Sequence, residues 1–531
     1  MSSSSTYEPP DLENLSVPLV ASQTKEAAQW AAVETPPEQG DQNKTSSENQ
    51  DVVPTASMVT QESTAQWTRG ETQTPQYRDL PFAIAFVVQF SIVTLMALFP
   101  VAKDDTNQYN SGNSRMLLSS SAFYFLVAIG LPVLAAPALS LLAFKWMMNQ
   151  PEGLIKAALL SGILSNLFMG FLFAVIGFPF YFFNFIAVAI LGCYARTVWN
   201  RIPFAAANLR CAVTAIQSNL GITALALFSS FASLVWIFIF YNAYAGVKDA
   251  DFMKASSGST NYNTSSSDQG DLSAIGTLVM LLLGLSFYWT LQVLHNTVRA
   301  TNAGVIGTFW FAPIEASSFC SNAIKDSLSR SLTYSFGSIC FGSLIVAILK
   351  VLRDILRRAR HNRNVSGVVR LCAECILDFI ERMVRYFNKW AFIYVGLYGY
   401  SYLDAGKNVM ELFRARGYGP IITDGLVNRL LSIMGFSIGI TIGLAALVTG
   451  NLLGVDDSNA GLAVVTAFMI GMLFSWTMMS TVMGAVETIV VCMAEAPAEG
   501  KANHPQLYNQ LESSYTNVYP DIPFGVVVIP M

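Results

Sequence analysis

Charge is scarce in this chain. Of its 531 residues only 12% are Asp, Glu, Lys or Arg, about half the share carried by a soluble globular protein. With 53% of the residues hydrophobic, the deficit excludes an ordinary water-soluble domain and points to a bilayer. Histidine is scarcer still: His295, His361 and His504 are the three present, far apart in sequence. No HExxH, GxSxG, Walker or GxGxxG motif stands in a suitable context, so neither an enzyme nor an ATP-driven pump is indicated, and no cofactor is implied. The seven cysteines are odd in number and fall mostly in apolar runs or beside basic residues, which gives no disulfide framework. Cys372 and Cys375 form a CxxC, but no second pair or nearby histidine completes a zinc site, so this spacing reads as helix packing.

What the chain has in quantity is long apolar runs. Each run of about 18 or more residues can cross a hydrocarbon core about 30 Å thick. Pro81 to Pro100 is the first and Ser121 to Phe144 the second, with Pro132 and Pro137 inside it. Gly153 to Ala195 is too long for one crossing, and Gly177 and Pro179 divide it into two. Gly221 to Gly246 and Leu272 to Asn296 follow, then a shorter seventh segment, Val298 to Pro313, with Gly304 and Gly307, and Ser331 to Val351. Ala391 to Leu403 is apolar but short, which suits a re-entrant or interfacial piece. Leu426 to Leu447 and Leu462 to Gly484 complete the set. The expectation is an all-α polytopic transmembrane helix bundle of about ten spans plus one short re-entrant or interfacial segment.

Residues 1–76 are different in kind. They are rich in Ser, Thr, Gln, Glu and Pro and hold 11 acidic against 3 basic residues, a composition that reads as a disordered acidic tail. The division is then 1–76 as tail, 77–495 as membrane domain and 496–531 as C-terminal tail. Met1 is followed by serines and acidic residues, not by a basic region and an apolar one, so no signal peptide is read and the N-terminal tail is expected in the cytosol.

Loop charge orients the spans. Residues 350–389 hold ten Lys and Arg, including "RDILRRARHNR", and the positive-inside rule assigns them to the cytosol, where they would meet anionic lipid rather than nucleic acid. Arg196, Arg201 and Arg210 lie in a connection free of acidic residues and follow the same rule. The Ser-rich loop from Val247 to Asp271 carries the sequon at Asn263, which suits the outer face and makes Asn263 the expected glycosylation site. The sequons at Asn14, Asn43 and Asn364 fall on the inner side. Ten crossings with both termini cytosolic violate the fewest of these constraints.

Five segments carry a resemblance. "RIPFAAANLRCAV", "FYWTLQVLHNTVRATNAGVIGTFWF", "SLTYSFGSICFGSLIVAILKVLR", "NKWAFIYVGLYGYSYLDAGKNVMELF" and "MGAVETIVVCMAEA" resemble, in order and context, segments of the choline transporter-like family. The likeness covers about Tyr77 to Ser514, and the long hydrophilic N-terminus is most similar to the fungal pH nine-sensitive branch. It implies about ten crossings, a plasma-membrane location and facilitated movement of choline or a related organic cation. The outer loop lacks the many cysteines of animal members, so nothing is carried over to it. Oligomeric state is not read from the sequence.

With that implication in hand, the polar side chains inside "SFYWTLQVLHN" gain a reading. Trp289, Gln292, Asn296 and Arg299 fall on one helical stripe, which must turn from lipid toward protein or a water-filled path. A quaternary ammonium donates no N–H hydrogen bond and is held by aromatic faces. Trp289 offers such a face and Gln292 a carbonyl, although a tryptophan near a helix end is equally an interfacial anchor. Trp310 and Tyr334 would complete an aromatic cage or simply pack, and Trp476 is ambiguous in the same way. Trp289, Gln292, Asn296, Trp310, Tyr334 and Trp476 are therefore the substrate-binding candidates. Ser331, Ser335, Ser338 and Gly342 form a small-residue face suited to close helix packing. Gly304, Gly307 and Pro313 make the seventh segment resemble a broken helix. Glu487 fits a salt bridge or proton coupling. A carrier working by alternating access, a channel, and a sensor or scaffold without transport are the three function classes in play.

Overall fold

A computed structural model describes residues 72–98, 120–177, 181–248, 274–359, 367–422, 425–455, 457–520 and 522. The acidic tail up to residue 71, the loop bearing Asn263, and 360–366 with His361 and Asn364 lie outside the described residues. The described residues belong to one unit, Gln66–Met531, and every regular element among them is helical.

Among the described residues, six α-helices precede the Ser-rich loop: α1 (Leu80–Leu98), α2 (Ser120–Asn149), α3 (Pro151–Ile176), α4 (Phe182–Val198), α5 (Ile202–Ser218) and α6 (Gly221–Lys248). After it come α7 (Ala274–Phe311), α8 (Asn322–Leu332), α9 (Phe336–Ala359), α10 (Gly367–Tyr398) and α11 (Tyr402–Ala415). The short α12 (Gly419–Ile422) leads into α13 (Leu426–Leu452) and α14 (Asp457–Glu495), and α15 (Pro497–Asn503) and α16 (Pro505–Val518) close the described chain. Among the described residues, eight spans are long and apolar enough to cross a bilayer, nine if α8 and α9, bent by 64°, count as one. The apolar run from Gly153 divides as expected: Gly177 takes a left-handed φ of 78°, a conformation that glycine adopts without a Cβ penalty, and α3 stops there.

One expectation about individual segments is corrected. The sixth and seventh runs form one helix, α7, of 38 residues, about 57 Å long. Gly304 and Gly307 do not interrupt it, because they serve close packing: a Cβ on Gly304 would sit 2.5 Å from Ser327 Oγ and one on Gly307 2.2 Å from Leu397 Cδ2. Of the short run from Ala391 to Leu403, the residues up to Tyr398 are the C-terminal end of α10 and the last two begin α11, and Trp390 to Val395 are at most 1% exposed. It is apolar because it lies in the protein core. Cys372 and Cys375, read as packing residues, are exposed on α10.

Side-chain contacts fix the direction of each helix. Asp79, at the start of α1, accepts from Ser338 Oγ at 2.6 Å, and Phe82 stacks on Phe341 with centroids 4.2 Å apart, so α1 and α9 run the same way. α7 runs against both, Asn296 Nδ2 donating to Ser343 Oγ at 2.9 Å and Tyr288 Oη to Asp354 Oδ2 at 2.6 Å. α10 returns along α9, with Arg353 paired to Asp378 and Glu381 and Asn388 Nδ2 donating to Gly342 O at 3.4 Å. The basic end of this hairpin therefore lies where α1 stops and α7 begins. At the other end are Asp79 and the C-terminal helices, whose Ala496 carbonyl accepts from Trp310 Nε1 at 3.0 Å. The legs of the hairpin thus run away from Asp79 and the C-terminal helices, whereas the charge count expects 350–389 on the side of the termini. Asp354, Glu374, Asp378 and Glu381 are interleaved with its basic residues, and the pairs they make let both legs run along the bundle.

The small-residue face behaves as expected: Ser331, Ser335 and Ser338 are at most 2% exposed, and a Cβ on Gly342 would lie 2.4 Å from the Tyr402 ring. Residues 497–518 form α15 and α16 and pack on the bundle. Phe309 stacks on His504. Burial pushes the Tyr515 phenol well above its ordinary value, so it stays protonated and donates to Asn208 Oδ1 at 2.9 Å.

Candidate functional site

The second half of α7 collects the polar side chains of the bundle interior. It is held by α9, α10 and α14, and its sequence, "HNTVRATN", places a polar or small residue at almost every inward position. Asn296 is 5% exposed and spends its amide on Ser343. His295 Nε2 lies 3.2 Å from Ser480 Oγ, and Asn302 Nδ2 donates to Thr481 O at 2.8 Å.

One layer there carries charge. Arg299 Nη2 pairs with one carboxylate oxygen of Glu487, and Lys389 Nζ lies 3.2 Å from the other. The Glu487 side chain is 4% exposed. Lys389 also stands over the Trp390 ring, 4.5 Å from its centroid. Taking three charges out of water costs several kcal/mol per ion, and their attraction offsets that only with good geometry. Buried charge among membrane spans is for this reason a mark of function by default. The layer is imperfectly satisfied: Arg299 Nε, Asn302 Oδ1 and Trp390 Nε1 are buried with no hydrogen-bond partner among the described residues. Beside it a cavity of about 30 Å³ is lined by Lys389, Trp390, Glu487, Phe204, Asn208 and Val427, among others.

The residues singled out in the sequence are not all brought together. Trp289 is 6% exposed. Its Nε1 donates to Cys340 O at 2.9 Å, and its ring meets Phe86 edge-on at 5.5 Å. It also borders a larger apolar cavity of about 420 Å³ between α1 and α7, where Gln89 is bonded to Ser286 and Thr290. Gln292 is half-buried two turns before Arg299 of the charged layer on α7. Trp310 is far down α7, 1% exposed, and a Cβ on Gly500 would touch its ring at 2.1 Å. Tyr334 sits at the α8–α9 bend with its ring 5.2 Å from Tyr77, and Trp476 is 49% exposed on the outside of α14. An aromatic cage of Trp289, Trp310 and Tyr334 does not form in this arrangement.

Sequence reasoning passed over Lys389 and Trp390. Lys389 ends the basic segment that sets topology, and Trp390 falls between that segment and the short apolar run that begins at Ala391. The signal that would have found them is the junction itself, a Lys-Trp pair where an amphipathic helix turns fully apolar.

Comparison with known proteins adds the following. A family model described as plasma-membrane choline transporter matches residues 181–498. A CTL-like protein of Dictyostelium discoideum is 28% identical over 85% of this chain and 78% of its own length. Protein PNS1 of Debaryomyces hansenii is 24% identical over 84% of this chain and 89% of its own. Protein PNS1 of Kluyveromyces lactis is 26% identical, covering 85% and 83% respectively. The match to the family model spans Arg299, Lys389, Trp390 and Glu487 alike.

Proposed function

We propose, from the premise that this chain belongs to the plasma-membrane choline transporter family, that it is a solute carrier for choline or a related organic cation, working without ATP by alternating access. The observation that carries the reading is the charged layer of Arg299, Glu487 and Lys389, buried where α7, α10 and α14 meet. A lipid-facing scaffold has no use for ionised groups held at that cost, whereas a carrier uses them as a seal that opens when a charged solute arrives. Gln292 and Asn296 lie directly above the layer on α7 and would line the approach to it. The family's description supports placing the chain in the plasma membrane. The Arg196, Arg201 and Arg210 connection supports placing the termini in the cytosol, since it is expected inside and Arg201 stands over the ring of Tyr519, just past α16.

Purified protein in liposomes tests this directly. Saturable choline uptake that accelerates under counterflow is expected, without ATP. Absence of flux in folded, correctly inserted protein would leave a sensor or scaffold, and flux without saturation or counterflow would indicate a channel.

A further inference from the structure

The Lys389 ammonium stands where a substrate cation would be recognised. It has a carboxylate oxygen of Glu487 at 3.2 Å and the Trp390 ring at 4.5 Å, the two groups that bind organic ammonium ions, one by charge and one by its π face. The adjoining cavity of about 30 Å³ holds a water or two, not a trimethylammonium group. We infer that Glu487 and Trp390 form a binding site for a small hydroxylated ammonium ion, and that Lys389 occupies this site as a tethered stand-in when substrate is absent. The inference rests on the carrier reading and names a site for it.

Three features support the assignment. First, charge: two protein cations face one carboxylate, so a third cation is repelled until one of the two leaves. When Lys389 withdraws, the incoming ammonium restores the same balance around Glu487. Second, Lys389 is the cation able to leave. Its side chain keeps 22% exposure and is a flexible point charge, while the planar Arg299 fork is held against Glu487 with its Nε buried. Third, the Trp390 indole N–H is buried without an acceptor among the described residues. A substrate hydroxyl could accept from it, which would favour an amino alcohol over a bare tetraalkylammonium.

The test measures binding of tetramethylammonium and of choline to purified full-length protein in nanodiscs, together with choline flux in liposomes and thermal stability. Lys389→Met retains the Arg299–Glu487 pair and removes the resident ammonium, so it should bind tetramethylammonium about tenfold more tightly than wild type. Trp390→Leu should weaken binding of both ions by about thirtyfold. Trp390→Phe keeps a π face and should abolish only the preference for choline over tetramethylammonium. Glu487→Gln should abolish binding of both, and if that variant does not fold, the Lys389 and Trp390 variants decide. Choline flux in wild type with unchanged affinities in all folded variants would overturn the site and leave the carrier reading standing. Affinities that shift as stated without flux would keep the site and sink the carrier. Absence of both binding and flux in wild type and in Lys389→Met would end both.

Discussion

Two helix pairs of this bundle are built on opposite principles. α13 and α14 meet through small residues: Gly439 and Gly443 lie under Met472 and Phe468, where added Cβ atoms would come within 3.2 Å of side chains. Ser475 Oγ crosses to Gly435 O at 2.9 Å. α9 and α10 meet through charge, Arg353 reaching both Asp378 and Glu381. Apolar helices leave lipid for each other only where their backbones approach closely. Amphipathic ones must instead match charge with charge before they can lie along a bundle. Hydropathy therefore finds the first pair at once and misassigns the second.

The sharpest way to break the comparison is the position of the hairpin turn, an all-or-none property. A tag inserted between Arg360 and Ser366 should be reached from the same side as one in the Asn263 loop, and from the side opposite to a C-terminal tag. Labelling of the turn together with the C-terminus would support the reading from charge counts and refute the course of the hairpin relative to α1 and α7.

Stability measurements come next. Arg353→Leu leaves Glu381, 6% exposed on its side chain, with its i+4 partner Arg385 at 3.5 Å and the more distant charge of Lys350. The loss should be about 3 kcal/mol, at the low end for a broken buried pair because Arg353 is partly exposed. Adding Glu381→Leu should recover most of it, since an apolar pair in place of an ion pair costs little. In the other pair, Gly471→Leu drives a side chain into Ile442, whose Cβ would be 2.8 Å from the new one. Overpacking of this kind should cost about 2 kcal/mol, and no second substitution of charge would relieve it. Unfolding of detergent-solubilised protein reads all three, and an unrescued Arg353→Leu would show that the hairpin is not held by its ion pairs.

These differences explain how far the sequence could be read. Long uniform runs such as Leu426 to Leu447 announce their helices, because lipid demands the same property at every exposed position. Gly177 announced a break through its backbone freedom. Gly304 and Gly307 sent the same signal for the opposite reason, since a glycine is equally what a straight helix needs where Ser327 and Leu397 press against it. The charged layer was half legible. Arg299 lay on the polar stripe, and Glu487 stood out beside an apolar run. Their meeting with Lys389, about a hundred residues from either, depends on α10 lying between α9 and α14, which no local pattern encodes.

Trp289 and Trp476 extend the comparison to the smallest effects. Trp289→Leu should cost about 2 kcal/mol, from the hydrogen bond to Cys340 and the edge-on contact with Phe86. The affinity of the surviving folded protein for choline should stay unchanged. Unaltered stability with weakened binding would return Trp289 to the substrate path.

Trp476 lies on α14, the apolar pair's own helix, yet it is 49% exposed and faces outward, where lipid replaces one apolar surface with another. Trp476→Leu should therefore change stability by less than about 0.5 kcal/mol, as for surface positions away from buried contacts, and should leave choline affinity and flux as in wild type. A substrate-path role requires the opposite pattern, affinity lost at constant stability, because the cation would lose its aromatic face while the helix lost nothing it packs against. Binding and unfolding measured on the same preparation separate the two. A drop in affinity at this position would mean that the path opens between α14 and the bilayer rather than along the polar face of α7.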